Sequence, residues 1–184
     1  MDHHERYRFC PCCGTKYSPG ALDGRTKSFH CVRCGYRFYQ NSKPACTAVI
    51  PDSSRTTSVL LLTRAIEPSI GKLALPGGFL NYGESAVDGL RREIWEEIST
   101  QITPLKLLCC TTLDYEYLGT ILSVFEAAFL VAPLDEADHI QISEEASHAA
   151  YYDIPDLLAD PSQFAFPSHA SVLENYLKTS RTAS

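Results

Sequence analysis

No apolar run in the 184-residue sequence reaches the length needed to span a bilayer, so a helical integral membrane protein is excluded. The opening MDHHERYRFC has no secretory core and only nine residues precede Cys10, so neither a signal nor a transit peptide is expected in this chain, while a processed organellar form stays open. A cytoplasmic protein with no membrane partner is therefore the expectation. Internal repeats and low-complexity tracts are also missing, which sets aside solenoids and long linkers. Positive charge is in short supply, 16 Lys and Arg against 22 Asp and Glu, and it is unevenly spread. Residues 1–43 carry eight basic side chains and three acidic ones, while the remainder carries eight and nineteen. The basic residues Arg6, Arg8, Lys16, Arg25, Lys27, Arg33 and Arg37 are read chiefly as a solvated surface. No RNA-binding motif accompanies them, so a nucleic-acid partner stays open without being favoured.

Cysteine, by contrast, is abundant and ordered. Cys10-x2-Cys13 is followed by Cys31-x2-Cys34, and Gly14 and Gly35 each follow the second cysteine of a pair. Four thiolates in two tight turns satisfy a tetrahedral zinc ion with no open position, which makes the site structural. Using Cys12 in place of Cys13 would shorten the first loop below the usual spacing. Two disulfides are the competing reading, and it is weakened by Cys46, Cys109 and Cys110, which sit in apolar strand-like runs as reduced core thiols do.

A second cluster lies between Gly78 and Thr100, in GFLNYGESAVDGLRREIWEEIST. Ser85 followed by Asp88 signals a helix start, and Val87, Leu90, Ile94 and Ile98 repeat at three and four residues as a core-facing stripe. Off that stripe, Glu93, Glu96 and Glu97 stack on one side of the helix, with Arg91 and Arg92 as the local cations. Like charges at this spacing cost a helix a few tenths of a kcal/mol per pair, roughly, and a hard divalent cation relieves them. A solvated helix face is the plainer explanation of such a string. The glycine turn before it, the isolated Glu84 and the Arg92-Glu93 pair argue for chemistry.

At these residues the chain resembles the Nudix hydrolase family, whose box runs glycine, five residues, glutamate, seven residues, then Arg-Glu-apolar-x-Glu-Glu-x-Gly-apolar. Gly78, Glu84, Arg92, Glu93, Ile94, Glu96 and Glu97 match it in place. Ser99 and Thr100 depart from it at the end, and a serine where glycine would take the left-handed cap implies a looser helix terminus. Gly89, in mid-helix, marks a close backbone approach. The resemblance implies that Glu93, Glu96, Glu97 and the carbonyl of Gly77 hold Mg²⁺ or Mn²⁺, and that Glu84 pairs with Arg92. Glu84 touching the metal through water is the alternative. For the general base it leaves Glu93 and the loop acids Glu144 and Glu145 as candidates.

Elsewhere, residues 46–50, 58–64, 106–113, 121–132 and 148–152 read as strands, with Tyr115 and Tyr117 near a turn. Ser168 is expected to cap a last helix whose buried face is Leu173, Tyr176 and Leu177. Two helices among these strands imply an α/β protein with a mixed sheet between helical layers, and the resemblance makes it the Nudix α/β/α sandwich. The expected organisation is a zinc ribbon over 1–43, a Nudix domain over 44–178 and a frayed tail over 179–184.

The order of ribbon, YQNSKP and box is similar to that of NADH pyrophosphatases and closer to ribbon-bearing FAD and ADP-ribose pyrophosphatases. CVRCGYRFYQNSKP, GESAVDGLRREIWEE and FAFPSHASVLENYL carry the likeness. TTLDYEYLG stands where the NADH group has SQPWPFP, and Phe164 and Phe166 of the later SQFAFP are read as packing residues. The resemblance implies a pyrophosphatase that splits FAD or ADP-ribose and releases AMP. Tyr115 and Tyr117 are candidates either to stack on a ring of the substrate or to pack in the core. A homodimer is part of this expectation. Hydrolysis of NADH, NAD or capped RNA, and a noncatalytic zinc-ribbon interaction protein, are the alternatives.

Overall fold

The computed structural model describes residues 7–135 and 139–181. It divides into two compact units, Met1–Lys43 with Asp114–Ser123, and Pro44–Leu113 with Val124–Ser184. The residues 114–123, expected inside the main domain, thus cluster with the first unit.

That first unit carries a three-stranded sheet of β1 (Leu22–Asp23), β2 (Ser28–His30) and β3 (Arg37–Tyr39), in this order and antiparallel. Its apolar interior is small. Phe29 is buried under the rings of Tyr7, Tyr17 and Phe38. The two cysteine turns are built alike: Gly14 N–H donates to the Cys10 carbonyl and Gly35 N–H to the Cys31 carbonyl, each at 2.9 Å. Arg8, Lys16, Arg25, Lys27, Arg33 and Arg37 are exposed, and Arg6 lies outside the described residues. The unit also holds the tip of a hairpin whose strands are β8 (Pro104–Tyr117) and β9 (Thr120–Val131). Leu118 and Gly119, with φ of 48° and 68°, make its two-residue connection, a geometry that matches strand twist. Tyr115 and Tyr117 lie in the last residues of β8, beside that turn.

In the second unit, β4 (Lys43–Val49), β5 (Ser58–Arg64), β6 (Leu73–Ala74), β7 (Gly77–Phe79) and β10 (Ala146–Asp153) complete two sheets, ordered β10-β5-β6 and β7-β4-β9-β8. Alternation along the strands shows how the layers form. Ala48, Ile50, Leu60, Leu62, Ala127 and Phe129 pack with Leu90, Ile94 and Ile98 of α1 (Ala86–Ile98). Their neighbours Val49, Val59, Leu61 and Ala128 face the other way, onto Ile154 and Leu157 of α2 (Ile154–Ala159) and Val172, Leu173 and Tyr176 of α3 (Ser168–Arg181). Helices on both faces of the sheet strands give the α/β/α sandwich. Burying one such aliphatic side chain contributes about 1.5–3 kcal/mol, so the two alternating cores decide the register of β4, β5 and β9.

Three local expectations need correction. Besides the two helices expected, a short helix, α2, and a 3-10 turn at Pro161–Gln163 occur, because Pro at the first turn and buried Ile154 and Leu157 suffice for a helix too short to show periodicity. Ser168 is the first residue of α3 and not its cap, with its hydroxyl buried and unpaired among the described residues. The expected tail begins too early: α3 continues to Arg181, and Thr179 and Ser180 donate to the Tyr176 carbonyl at 2.9 and 3.0 Å. Residues 182–184 lie outside the described residues. Among the described residues no helix is long and apolar enough to cross a membrane.

Candidate active site

Helix α1 starts where its sequence says it should. Ser85 is the N-cap; its hydroxyl accepts from Asp88 N–H at 3.2 Å and donates to the Asp88 carboxylate at 2.7 Å. At the far end Ser99 takes the left-handed conformation, φ 54°, and donates to the Trp95 carbonyl. Two more carbonyls of the last turn are answered by a passing segment, Gln141 N–H to Ile98 O at 3.0 Å and Ser143 N–H to Glu97 O at 2.9 Å. The terminus is therefore tied down, not loosened as the missing glycine suggested. Capping has a second effect, since it delivers Glu144 and Glu145 to the helix end. Glu145 is held further by its N–H to Ser143 Oγ and by its carbonyl, which accepts from Ala65 N–H at 2.8 Å.

Arg92 organises the carboxylates. Its Nε and Nη2 grip both oxygens of Glu84 at 2.9 Å, Nη1 reaches Glu93 at 2.8 Å and Glu96 at 2.9 Å, and Nη2 also donates to the Phe79 carbonyl at 3.0 Å. A bidentate guanidinium–carboxylate pair is the strong, directional kind of ion pair. With Asn81 N–H on its second oxygen, Glu84 is pulled down to about 2, the Arg92 hydrogen bonds being the main cause. The hydrogen bond to Glu84 is likewise the main cause pushing Arg92 up. Glu84 thus locks the chain before the helix onto the helix itself. Glycine makes the approach feasible: a Cβ on Gly89 would collide with Leu80 and crowd the Glu84 carboxylate, and one on Gly78 would collide with the carboxylate of Glu93.

Glu97 is treated differently. Its carboxylate accepts from Gly77 N–H at 2.8 Å. The residue keeps some exposed surface, but its acid end is enclosed by protein, and burial pushes it up to about 8. The charges of Glu93 and Glu145 push the same way, against the Gly77 hydrogen bond and the more distant Arg64. Glu93 is raised too, first by burial and then by Glu96 and Glu145, with Arg92 opposing. Of the two loop acids, Glu145 is the one whose charge is felt at both Glu93 and Glu97.

The helix does not, however, gather its three acids into one ligand set. Among the described residues the only converging group of three or more metal-type ligands is Cys10, Cys13, Cys31 and Cys34. The three acids share α1, but Arg92 draws Glu93 and the exposed Glu96 to itself while Gly77 N–H holds Glu97. The donors still fit a hard divalent cation in kind, oxygen ligands beside a backbone turn, with Glu97 facing no guanidinium within hydrogen-bond reach among the described residues. In the cysteine group all four sulfurs lie within 4.8 Å, with Cys10–Cys34 at 3.7 Å and Cys13–Cys31 at 3.6 Å. Tetrahedral Zn–S bonds of about 2.3 Å require sulfur separations near this value, and disulfides of about 2.05 Å do not. Cys12 is exposed and outside the set. A hydrogen bond with the Thr15 hydroxyl is the main cause holding Cys13 down at about 6, which favours the thiolate a metal needs.

A domain model described as NUDIX domain matches residues 42–176. The chain belongs to the Nudix family. The pyrophosphatase likeness extends to an ADP-ribose pyrophosphatase of Methanocaldococcus jannaschii, 26% identical over 145 residues and covering 78% of each chain. A NAD-capped RNA hydrolase NudC of Chromobacterium violaceum is 30% identical over 100 residues, 54% of this chain and 35% of the relative. The match thus spans about a third of that longer relative. A Nudix hydrolase of Nitrosomonas europaea has a crystal structure that superposes with a TM-score of 0.69 at 25% identity, covering 93% of this chain and 90% of the other.

Several residues around the Nudix helix carry no signal in the sequence pattern. Trp95, 54% exposed, lines with Arg91, Arg92, Thr100, Gln101 and Ile102 a cavity of about 390 Å³. Arg64 places its guanidinium 5.2 Å from the Phe166 ring centre and donates to the Pro68 carbonyl at 2.7 Å. Phe164 is buried and bridges Leu73, as a packing residue should. Tyr115 is half-buried and Tyr117 53% exposed, and neither belongs to the two cores of the second unit.

Proposed function

We propose that this chain is a divalent-metal-dependent diphosphatase that cleaves the phosphoanhydride of a nucleoside diphosphate linked to another moiety, with FAD or ADP-ribose as substrate. Water attacks one phosphorus, the bridging P–O bond breaks, and the products are AMP and FMN or ribose 5-phosphate. The observation that carries this reading is the held-apart pair: Glu97 enclosed on Gly77 N–H, and Arg92 spent on Glu84, Glu93 and Glu96. Glu93, Glu96, Glu97 and the Gly77 carbonyl would hold Mg²⁺ or Mn²⁺. When bound, the metal neutralises phosphate charge and activates water. Glu84 and Arg92 keep the glycine turn and the helix in fixed register. Glu145, whose charge is felt at both Glu93 and Glu97, is favoured over Glu144 as the loop acid that takes the proton from water, and Glu93 is the other candidate. Zn²⁺ on Cys10, Cys13, Cys31 and Cys34 serves as a staple for a unit with a very small apolar core.

A second reading is supported by the named activity of the NudC relatives and by the exposed basic residues of the ribbon: hydrolysis of NAD-capped RNA. One panel separates the readings. FAD, ADP-ribose, NADH, CoA and short NAD-capped RNA are incubated with the protein and Mg²⁺, and products are resolved by mass. AMP with FMN or ribose 5-phosphate is expected. Turnover confined to capped RNA, and falling steeply with salt as phosphate-driven binding must, would replace the first reading by the second.

A further inference from the structure

Deep in the second unit lie two polar side chains that the proposed chemistry does not use. Glu126 of β9 is 2% exposed and His169 of α3 is 1% exposed. His169 Nε2 stands 3.3 Å from Glu126 Oε1, and its Nδ1 faces Leu75 N–H at 3.1 Å. A backbone N–H can only donate, so Nδ1 is the acceptor, the ring proton sits on Nε2, and Nε2–H donates to Glu126. The second Glu126 oxygen is buried without a partner among the described residues. Phe164 and Phe166 stand edge-on to the imidazole, ring centres 6.4 and 5.4 Å away, and fix its plane.

The position of Leu75 gives this relay its meaning. Leu75 and Pro76 join β6 of one sheet to β7 of the other, so they lie outside both ladders. Pro76 has no N–H, which leaves Leu75 with the one donor of the crossing. A buried donor left unmade costs about 1–3 kcal/mol, and His169 is what satisfies it. The next links run directly into the site: the Pro76 carbonyl accepts from Ala48 N–H at 2.8 Å, and Gly77 N–H holds Glu97.

We propose that Glu126 and His169 are positioning residues for the Gly77–Glu97 half of the site, acting through the Leu75 N–H to set the path of the crossing and so the direction of the Gly77 peptide. This role rests on the reading of Glu97 as a metal ligand. Two plain hydrophobic residues would fill the same space, but they could not fix the crossing, because only an acceptor at the Nδ1 position meets Leu75 N–H.

The test measures Mn²⁺ binding from the free-ion EPR signal, and amide exchange at Leu75 and Gly77 by NMR without metal. His169→Leu and Glu126→Leu should each weaken Mn²⁺ binding by about tenfold or more, the size seen when groups behind metal ligands are removed. Both should also speed Gly77 amide exchange in folded protein. Glu126→Gln keeps an acceptor for Nε2–H and should stay well short of the roughly tenfold loss of the leucine variants. Wild-type Mn²⁺ affinity and Gly77 protection in His169→Leu, whatever its melting temperature, would reduce the pair to core packing. If that variant does not fold, Glu126→Leu decides by the same readouts. Glu97→Gln is the control: unchanged Mn²⁺ binding there sinks the metal reading itself, whereas loss there with no change in the relay variants sinks only the relay.

Discussion

The cysteines of the ribbon and the acids of the Nudix helix are both runs of metal-type ligands a few residues apart, yet the first set is assembled and the second is not. Four sulfurs lie within 4.8 Å because two short turns, each closed by its own backbone hydrogen bonds, bring the pairs together. The carboxylates sit on one helix, repel one another, and are parted between Arg92 and the Gly77 N–H. The contrast separates two uses of a site. A closed set of soft ligands leaves no room for substrate and contributes to folding, while hard ligands that assemble around an ion and phosphate oxygens can take part in a reaction.

The largest expected effect tests the open set. Glu97→Gln and Glu96→Gln should each lower kcat by more than about a hundredfold, some ~2.7 kcal/mol of barrier, with the circular dichroism spectrum unchanged. Near-normal turnover in Glu96→Gln alone would mean that Glu96 stays with Arg92 and is not a ligand. For the closed set, purified protein should hold about one zinc per chain, and Cys31→Ser should release it and unfold residues 1–43. Metal analysis without zinc would end the comparison.

Arg92→Lys comes next. Lysine cannot form the two-pronged grip on Glu84, so a stability loss of about 1–2 kcal/mol is expected in urea, together with loss of activity. An unchanged melt would show that the grip does not order the helix entry. Tyr117→Ala or Tyr115→Ala should lower kcat/KM by about tenfold or more, some ~1.4 kcal/mol, if either ring stacks on substrate. Equal losses on FAD and ADP-ribose would point to adenine, and a loss on FAD alone to the flavin.

The last prediction concerns pH. Glu97 is raised from 4.5 to about 8, so between those values the folded metal-free protein binds a proton that the unfolded chain has released. Stability contributed by Glu97 is therefore full below about 4.5 and is lost as pH rises toward 8. Melting curves without metal should fall less across that range in Glu97→Gln than in wild type, and Mg²⁺ should remove most of the difference.

Spacing alone made the four cysteines and the helix start at Ser85 legible, because each depends on contacts between residues close in the chain, whereas the pairing of Glu84 with Arg92 was legible only through the resemblance of the box. The same holds for the strand 58–64 and the apolar stripe of α1, where one periodicity dominates. Helix α2 escaped notice because six residues are too few to show a period. His169 stands in FAFPSHASVLENYL, a segment that carries the family likeness without marking it, and nothing nearby hinted at Glu126 forty-three residues away. Sequence by itself determined which groups this protein carries and the local turns that hold them. Only the tertiary structure decided which carboxylate is enclosed, which loop acid's charge is felt there, and which side chain satisfies Leu75, since burial and the pairing of a lone donor are properties of what packs around a group and not of its neighbours in the chain.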